Sequence, residues 1–457
     1  MAFIKSISGF RGTIGGRAGN NLTPEDIVSS VAAYGAWLLE TGATPRVVIG
    51  RDARISGALV AQLAAATLQA VGIDVIDLGL ATTPTVEMAV PHYAAGGGII
   101  LTASHNPRQW NALKLLNDKG EFISAEAGRR LLDLAASGDI EYAGVDALGS
   151  LREESGALDH HLDAIMRYPL VAAEAVRARR FKVVVDAVNS VGAEAVPALL
   201  ERLGCEVVLL HGAMTGDFAH NPEPLPQHLQ DLIGAVKEHG ADLGVAVDPD
   251  VDRLALVGPG GRWIGEEYTL VTVADYVLRH RAGAVVSNLS SSRALRDLAA
   301  RYGQAYHAAA VGEVNVVERM KGVGAVIGGE GNGGIIVPDL HYGRDSLIGL
   351  ALVLSHLATA ETDINTLRES YPHYEMIKDK QDLSANFDVD AALARLQQHF
   401  AAEEINTEDG LKIDFAAGWV HLRRSNTEPI VRLYAEAADE ATARQLVEQV
   451  RSAMLSA

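Results

Sequence analysis

Segments of strand character and of helix character alternate along this chain, and the alternation begins three times, which confines the fold to the α/β class. The first run opens at Thr23, a hydroxyl suited to cap a helix, with Pro24 at the first helical position and Asp26 in the first turn. Ile27, Val31, Tyr34 and Leu38 follow at helical spacing. After Gly42 come the apolar run Arg46-Val47-Val48-Ile49-Gly50, a helical pattern over residues 59–71 and a strand-like run over residues 73–78. The order restarts at Lys182-Val183-Val184-Val185-Asp186, with a helix to Leu203 and strands over residues 205–210 and 244–248. It restarts again at Ala284-Val285-Val286-Ser287-Asn288, with a helix from Ser291 and a strand over residues 324–328. The C-terminal part differs. Strand-like runs over residues 419–423 and 430–435 flank a loop, and Leu446, Val447, Val450 and Met454 mark an amphipathic helix. The expected architecture is three similar mixed-sheet α/β domains, over residues 1–150, 151–257 and 258–368, plus a C-terminal α+β domain over residues 369–457. Residues 153–168 and 258–262 are the candidate junctions.

Composition narrows the function. A formal charge of -19 without a Lys/Arg cluster argues against nucleic acid, so an anionic ligand must be held by a local pocket. The single cysteine, Cys205, has no internal disulfide partner, and its apolar setting suggests a buried strand start in a reducing cytosol. The N-terminus carries no sustained apolar run, and residues 347–360 are too few to span a bilayer. A cytoplasmic protein that engages no membrane is expected.

Four loops carry the candidate chemistry. The apolar run Gly98-Ile99-Ile100-Leu101 ends in Thr102-Ala103-Ser104-His105-Asn106-Pro107, which places a hydroxyl and an imidazole just beyond a strand, where open α/β sheets bind ligands. Gly244-Val245-Ala246-Val247 runs into Asp248-Pro249-Asp250-Val251-Asp252-Arg253. Along a straight strand these carboxylates would stand about 6.6 Å apart, too far to share a cation whose oxygens lie about 2.1 Å away. The loop must therefore curl, with Pro249 helping it. Three clustered like charges without a neutraliser favour a cation, and oxygen-only ligands favour Mg²⁺ over Zn²⁺. Gly328-Gly329-Glu330-Gly331-Asn332-Gly333-Gly334 projects one carboxylate and one amide from an almost bare backbone that a polyhydroxyl ligand can approach. Arg423-Arg424-Ser425-Asn426-Thr427-Glu428-Pro429 combines guanidinium forks, hydroxyls and loop amides, which are phosphate-binding groups.

In order and spacing, these four loops resemble those of the α-D-phosphohexomutase superfamily, which comprises phosphoglucomutases, phosphomannomutases and phosphoglucosamine mutases. Ser8-Gly9-Phe10-Arg11-Gly12 is similar to its N-terminal motif, and Asn111-Ala112-Leu113-Lys114 falls where N-G-x-K follows the serine. The resemblance implies four domains around a central cleft, with one loop from each. It implies that Ser104 is the resting phosphoserine and, through its phosphate, a metal ligand beside Asp248, Asp250 and Asp252 on Mg²⁺. It further assigns Lys114 as general acid or base, and Arg11, His105 and Arg253 as stabilisers of the transferring phosphoryl group. Glu330 and Asn332 would meet sugar hydroxyls, while Arg423, Ser425, Asn426 and Thr427 would hold the phosphate at rest. A sugar bisphosphate activator belongs to the expected cofactors.

The chain also departs from the family. Pro249 and Val251 stand where glycine is usual, Ala112 precedes Lys114 in place of glycine, and Asn332 and Gly334 replace a Ser and a His. His341 is a candidate substitute for that missing imidazole in proton transfer. The implied reaction interconverts hexose 6-phosphate and hexose 1-phosphate through a bisphosphorylated sugar. Phosphoglucosamine mutase is the leading form, suggested by His341-Tyr342-Gly343-Arg344-Asp345 after the glycine loop. Phosphomannomutase or phosphoglucomutase is the alternative, suggested by Ser425-Asn426-Thr427. A non-catalytic sugar-phosphate-binding homologue, or an aspartyl phosphatase using Asp248, would leave several of these loops without a role. A monomer or a homodimer is expected.

Overall fold

Thr23 begins the first helix as its side chain predicts: its hydroxyl accepts from the Asp26 amide while Asp26 reaches back to the Thr23 amide, and Pro24–Glu40 follows. The computed structural model describes residues 3–6, 9–383, 388–424 and 430–455. It falls into two compact units, Met1–Tyr276 with Asn332–Leu367, and Val277–Gly331 with Arg368–Ala457.

The first unit holds two sheets. In one, the parallel strands Asp74–Leu80, Arg46–Arg51 and Gly97–Leu101 lie side by side, and Leu151–Glu153 extends them. The antiparallel strands Trp110–Leu116, Gly9–Thr13 and Phe3–Ser6 complete the other edge. Successive side chains of a strand face opposite ways, so Val47, Ile49, Ile99 and Leu101 pack into one apolar layer and Val48 and Ile100 into another. Both faces are covered, which is why these strands read as unbroken apolar runs.

The second sheet runs Arg262–Trp263, Leu254–Gly258, Leu243–Val247, Lys182–Asp186 and Glu206–Leu210. Residues 259–261 form the tight turn joining two of its antiparallel strands. Residues 153–168 hold mainly the helix Ala157–Arg167. Glu206–Leu210 is an edge strand, with Leu209 exposed, and Cys205 precedes it half-buried; the expectation of a buried strand start is corrected accordingly. Residues of the long apolar stretch form Ser346–Thr359, a core helix buried on all sides apart from its last residue. Among the described residues, no single helix is long and apolar enough to cross a membrane.

In the second unit, Tyr306–Ala309, Val285–Asn288 and Ile327–Glu330 are parallel. An antiparallel sheet of Glu375–Asp382, Ile430–Ala437, Gly418–Arg424, Leu411–Phe415 and Glu404–Asn406 packs Val389–His399 and Glu440–Leu455 against its apolar side. Five strands stand where the sequence pattern suggested two. The outer strand Glu375–Asp382 is rich in charge, as an edge protected from pairing should be, and this hides it from an apolar count.

Candidate active site

Ser104 sits just past the C-terminal end of Gly97–Leu101 with its backbone in the left-handed region at φ 49°, held there by a buried support that its own loop does not supply. The Ser104 amide donates to Thr102 Oγ1 at 2.9 Å, and Thr102 Oγ1 donates to Asp52 Oδ2 at 2.6 Å. Arg54 Nε donates to the same Asp52 oxygen at 2.8 Å. The Arg54 guanidinium also reaches the carbonyls of Ser104, Asn106 at 2.9 Å, and Pro107 and Trp110 at 3.0 Å each. One buried ion pair thus holds the serine loop from below. Sequence reasoning missed Asp52 and Arg54. Their signal was an acid directly after the apolar strand Arg46–Arg51, the same pattern that marks Asp248.

The three aspartates meet as expected. All are fully buried, and one carboxylate oxygen from each lies within 4.8 Å of the others. The curl comes from Val251, at φ 64°, with its amide donating to the Asp248 carbonyl at 3.1 Å. Ser104 Oγ donates to Asp248 Oδ2 at 2.6 Å, so the serine hydroxyl and the carboxylate cluster form one site within this unit.

The cluster does have neutralisers, which corrects one premise of the cation argument. Lys114 Nζ donates to Asp250 Oδ2 at 2.7 Å and Asp252 Oδ2 at 3.2 Å, and Arg344 donates to Asp252 Oδ2 at 2.6 Å. Thr83 Oγ1 adds a bond to Asp250 Oδ2 at 2.6 Å. Burial opposes the Lys114 charge, but Asp250 and Asp252 outweigh it and hold the ammonium proton more tightly than usual. Burial likewise disfavours the Asp252 anion, yet Arg344, Lys114 and Arg253 keep it ionised. Asp248 is the reverse case: burial, with Asp252 and Asp250 nearby, raises its carboxyl well above the ordinary range. Among the described residues, Asp250 Oδ1 and Asp252 Oδ1 are buried without a hydrogen-bond partner. Two orphaned anionic oxygens beside a third carboxylate, with no nitrogen or sulfur donor in the set, fit a hard divalent cation.

Arg11 lies on Gly9–Thr13 in register with Ala112, while Gly9 pairs with Lys114, so the two cations come from neighbouring strands. Arg11 donates to Asn106 Oδ1 at 2.9 Å. His105 Nδ1 stands 3.3 Å from Ser104 Oγ, and burial together with Arg253 and Arg11 holds its pKa well below the usual imidazole value. The ring is therefore neutral and offers one donor, with no charge. The Arg253 amide donates to Asp248 Oδ1 at 3.1 Å.

Gly334 has a steric reason for lacking a side chain: a Cβ there would come within 2.3 Å of Arg344 Cδ. Arg344 fills that space and turns its charge to Asp252, a role the sequence did not reveal. Asn332 Oδ1 accepts from the Gly334 amide at 3.1 Å. His341 does not act as a free base. It lies 3.2 Å from Asp345 Oδ2 and 3.4 Å from Glu87 Oε2, and although burial would lower its pKa, bonding to these carboxylates pushes it up to about 10.

In the second unit, Glu330 Oε1 accepts from Asn288 Nδ2 at 2.9 Å and from the Gly312 amide at 3.1 Å. Arg423 pairs with Asp409 at 2.7 Å. Ser425, Asn426 and Thr427 lie outside the described residues, as does Ser8.

Comparison with known proteins agrees with this geometry. The phosphoglucomutase/phosphomannomutase alpha/beta/alpha domains I, II and III match residues 5–140, 159–261 and 265–374, and the C-terminal domain matches residues 381–453. The chain belongs to that family, within the α-D-phosphohexomutase superfamily, and is an intramolecular phosphotransferase of the isomerase class. It is 37% identical to a phosphoglucomutase/phosphomannomutase of Thermococcus kodakarensis, over 96% of either chain. It is 30% identical to a phosphoglucosamine/phosphogalactosamine mutase of Sulfurisphaera tokodaii, over 99% of either chain. A phosphoglucomutase/phosphomannomutase family protein of Burkholderia thailandensis superposes with a TM-score of 0.86 at 27% identity, covering 99% of this chain and 97% of that one.

Proposed function

We propose that this phosphohexomutase interconverts glucosamine 6-phosphate and glucosamine 1-phosphate through a phosphoserine at Ser104, with Mg²⁺ held by Asp248, Asp250 and Asp252. The observation that carries the reading is the 2.6 Å bond from Ser104 Oγ to Asp248, which joins a nucleophile on a strained loop to a buried carboxylate cluster. Held there, Mg²⁺ would supply positive charge to offset the negative charge of a phosphoryl group at Ser104. Arg11 and Arg253 supply further positive charge, and His105 a neutral donor. In one half-reaction the Oγ–P bond breaks as a sugar hydroxyl takes the phosphoryl group; in the other, the second phosphate of the bisphosphorylated sugar returns to Oγ. Lys114, kept protonated by Asp250 and Asp252, would give a proton to the departing Ser104 oxygen and recover one from the sugar hydroxyl that has attacked, and the return half-reaction runs the same exchange backwards. Glu330 and Asn332 would meet sugar hydroxyls, with Arg423, Ser425, Asn426 and Thr427 holding the other phosphate.

The sugar assignment draws on the hexosamine name of the Sulfurisphaera relative; the higher identity to the Thermococcus protein favours a second reading, glucose or mannose phosphates. Side-by-side kcat/KM values for the three 6-phosphates, with Mg²⁺ and a catalytic amount of bisphosphate, decide between them. A preference for glucose or mannose would overturn the hexosamine assignment, and no turnover of any would overturn the site.

A further inference from the structure

Asp186 closes the strand Lys182–Asp186 and is almost fully buried, yet it faces two imidazoles. His211 Nδ1 lies 3.1 Å from its Oδ1, and His220 Nε2 lies 3.1 Å from its Oδ2. The outer nitrogen of His220 is tied to a group that can only accept a hydrogen bond, and that of His211 faces an exposed carboxylate. His220 Nδ1 is 2.8 Å from the Asn221 carbonyl, and His211 Nε2 is 3.4 Å from the Asp231 carboxylate. A neutral imidazole has a single N–H, and in His220 the outer carbonyl claims it. The inner nitrogen of His220 then presents a lone pair to a carboxylate, an arrangement that is repulsive unless positive charge lies between them. An extra proton would supply that charge, and so would a divalent cation. One ligand atom from each of the three lies within 4.8 Å of the others, so a small closing of the rings brings all three onto one ion with bonds of about 2 Å. An outer carbonyl on one ring and an outer carboxylate on the other are the supports that orient metal-ligating histidines.

We propose that Asp186, His211 and His220 form a second metal site, for a borderline ion of the Zn²⁺ class, separate from the oxygen-only aspartate cluster. Two nitrogens and one oxygen select against Mg²⁺ and for Zn²⁺, Co²⁺ or Ni²⁺. The ion acts on structure. It fastens both ends of residues 211–220, an excursion whose backbone is left-handed at His211 and Met214, φ 49° and 47°. Phe218, within that excursion, lies 5.1 Å beneath the Arg54 guanidinium, and Arg54 carries the carbonyls of the Ser104 loop. The second ion therefore braces the platform under the serine loop.

Co²⁺ titration of the full chain in excess Mg²⁺, which fills the aspartate cluster, tests this. The wild type should develop visible d–d bands of a low-coordinate nitrogen/oxygen site, and stoichiometric Zn²⁺ should remove them. His211→Gln and His220→Gln should each weaken Co²⁺ binding by about tenfold or more while Mg²⁺-dependent turnover persists. Absence of the bands in the wild type, or bands unchanged in both variants, overturns the site. Histidine ring ¹⁵N NMR of the wild type gives an answer that needs no variant. Two rings shifting on Zn²⁺ addition support the proposal; rings that stay doubly protonated with Zn²⁺ present mean an ion-pair cluster only, and end it.

Discussion

Ser104 and Val251 are both held in left-handed backbone, and the two positions lead to opposite expectations. At Ser104 the side chain adds chemistry and little stability, so Ser104→Ala should keep the fold and remove turnover and any covalent phosphate seen by intact mass. A loss below about tenfold, or ~1.4 kcal/mol of barrier, would contradict the phosphoserine role. At Val251 a β-branched residue occupies a conformation that costs about 1–2 kcal/mol, and glycine would relieve it. Val251 is also completely buried, and burying such a side chain stabilises by about 1.5–3 kcal/mol, while glycine in the unfolded chain costs about 0.5–1 kcal/mol more. The lost burial wins. Val251→Gly should lower stability by about 1–2 kcal/mol in urea unfolding, and an increase would show that backbone strain dominates the loop. The acid pattern Asp248-Pro249-Asp250-Val251-Asp252 was legible because carboxylates after an apolar strand have few other uses. Arg344 was not, since its part depends on the empty space beside Gly334, 10 positions away in the chain but adjacent in the fold.

Among the elements, Ser346–Thr359 leans on a single buried side chain. Asp345 Oδ1 accepts from the Leu347 and Ile348 amides at 2.8 and 3.3 Å, while Oδ2 lies 2.9 Å from His161 Nε2 and 3.2 Å from His341 Nε2. Burial would raise the Asp345 pKa, but His161 and His341 keep it below the ordinary value. Removing the carboxylate loses the cap and strands buried imidazoles, so Asp345→Ala should destabilise by about 3–5 kcal/mol. The same cluster predicts a pH dependence. His341 has its folded pKa raised to about 10, above the unfolded value of about 6.5. Its contribution is complete below the unfolded pKa and disappears as the pH climbs through 10. Stability should therefore fall between those limits, and the fall should be shallower in His341→Gln; identical alkaline slopes in urea titrations would exclude this source. The helix itself was visible only as an apolar run, because burial on all sides removes the amphipathic stripe. Its cap was hidden for another reason: an aspartate after Gly343-Arg344 reads as one more charge of a polar loop, and only the fold brings His161 to it.

On the scale of the whole molecule, the three α/β repeats and the distinct C-terminal sheet were readable, since apolar runs and their spacing survive in any sequence that must cover both faces of a parallel sheet. The grouping into two units was not, because Asn332–Leu367 returns to the first unit after the chain has built part of the second, and no local signal marks such a return. The grouping has a thermodynamic consequence. The three aspartates proposed to hold Mg²⁺, Asp248, Asp250 and Asp252, belong to the first unit, while the antiparallel sheet around Gly418–Arg424 belongs to the second. A ligand stabilises the species it binds, by about 2.7 kcal/mol at a hundred times its dissociation constant. If the units open independently, Mg²⁺ should slow exchange of the most protected amides of Leu243–Val247 by roughly a hundredfold and leave those of Gly418–Arg424 and Ile430–Ala437 unchanged. Asp250→Asn, which removes one of the anionic ligands, should erase the difference at the same Mg²⁺ concentration. Hydrogen exchange followed by mass spectrometry reads all three strands in one experiment. Equal protection of both units would mean that they unfold as one cooperative body, and protection confined to the second would put the cation somewhere other than the aspartate cluster.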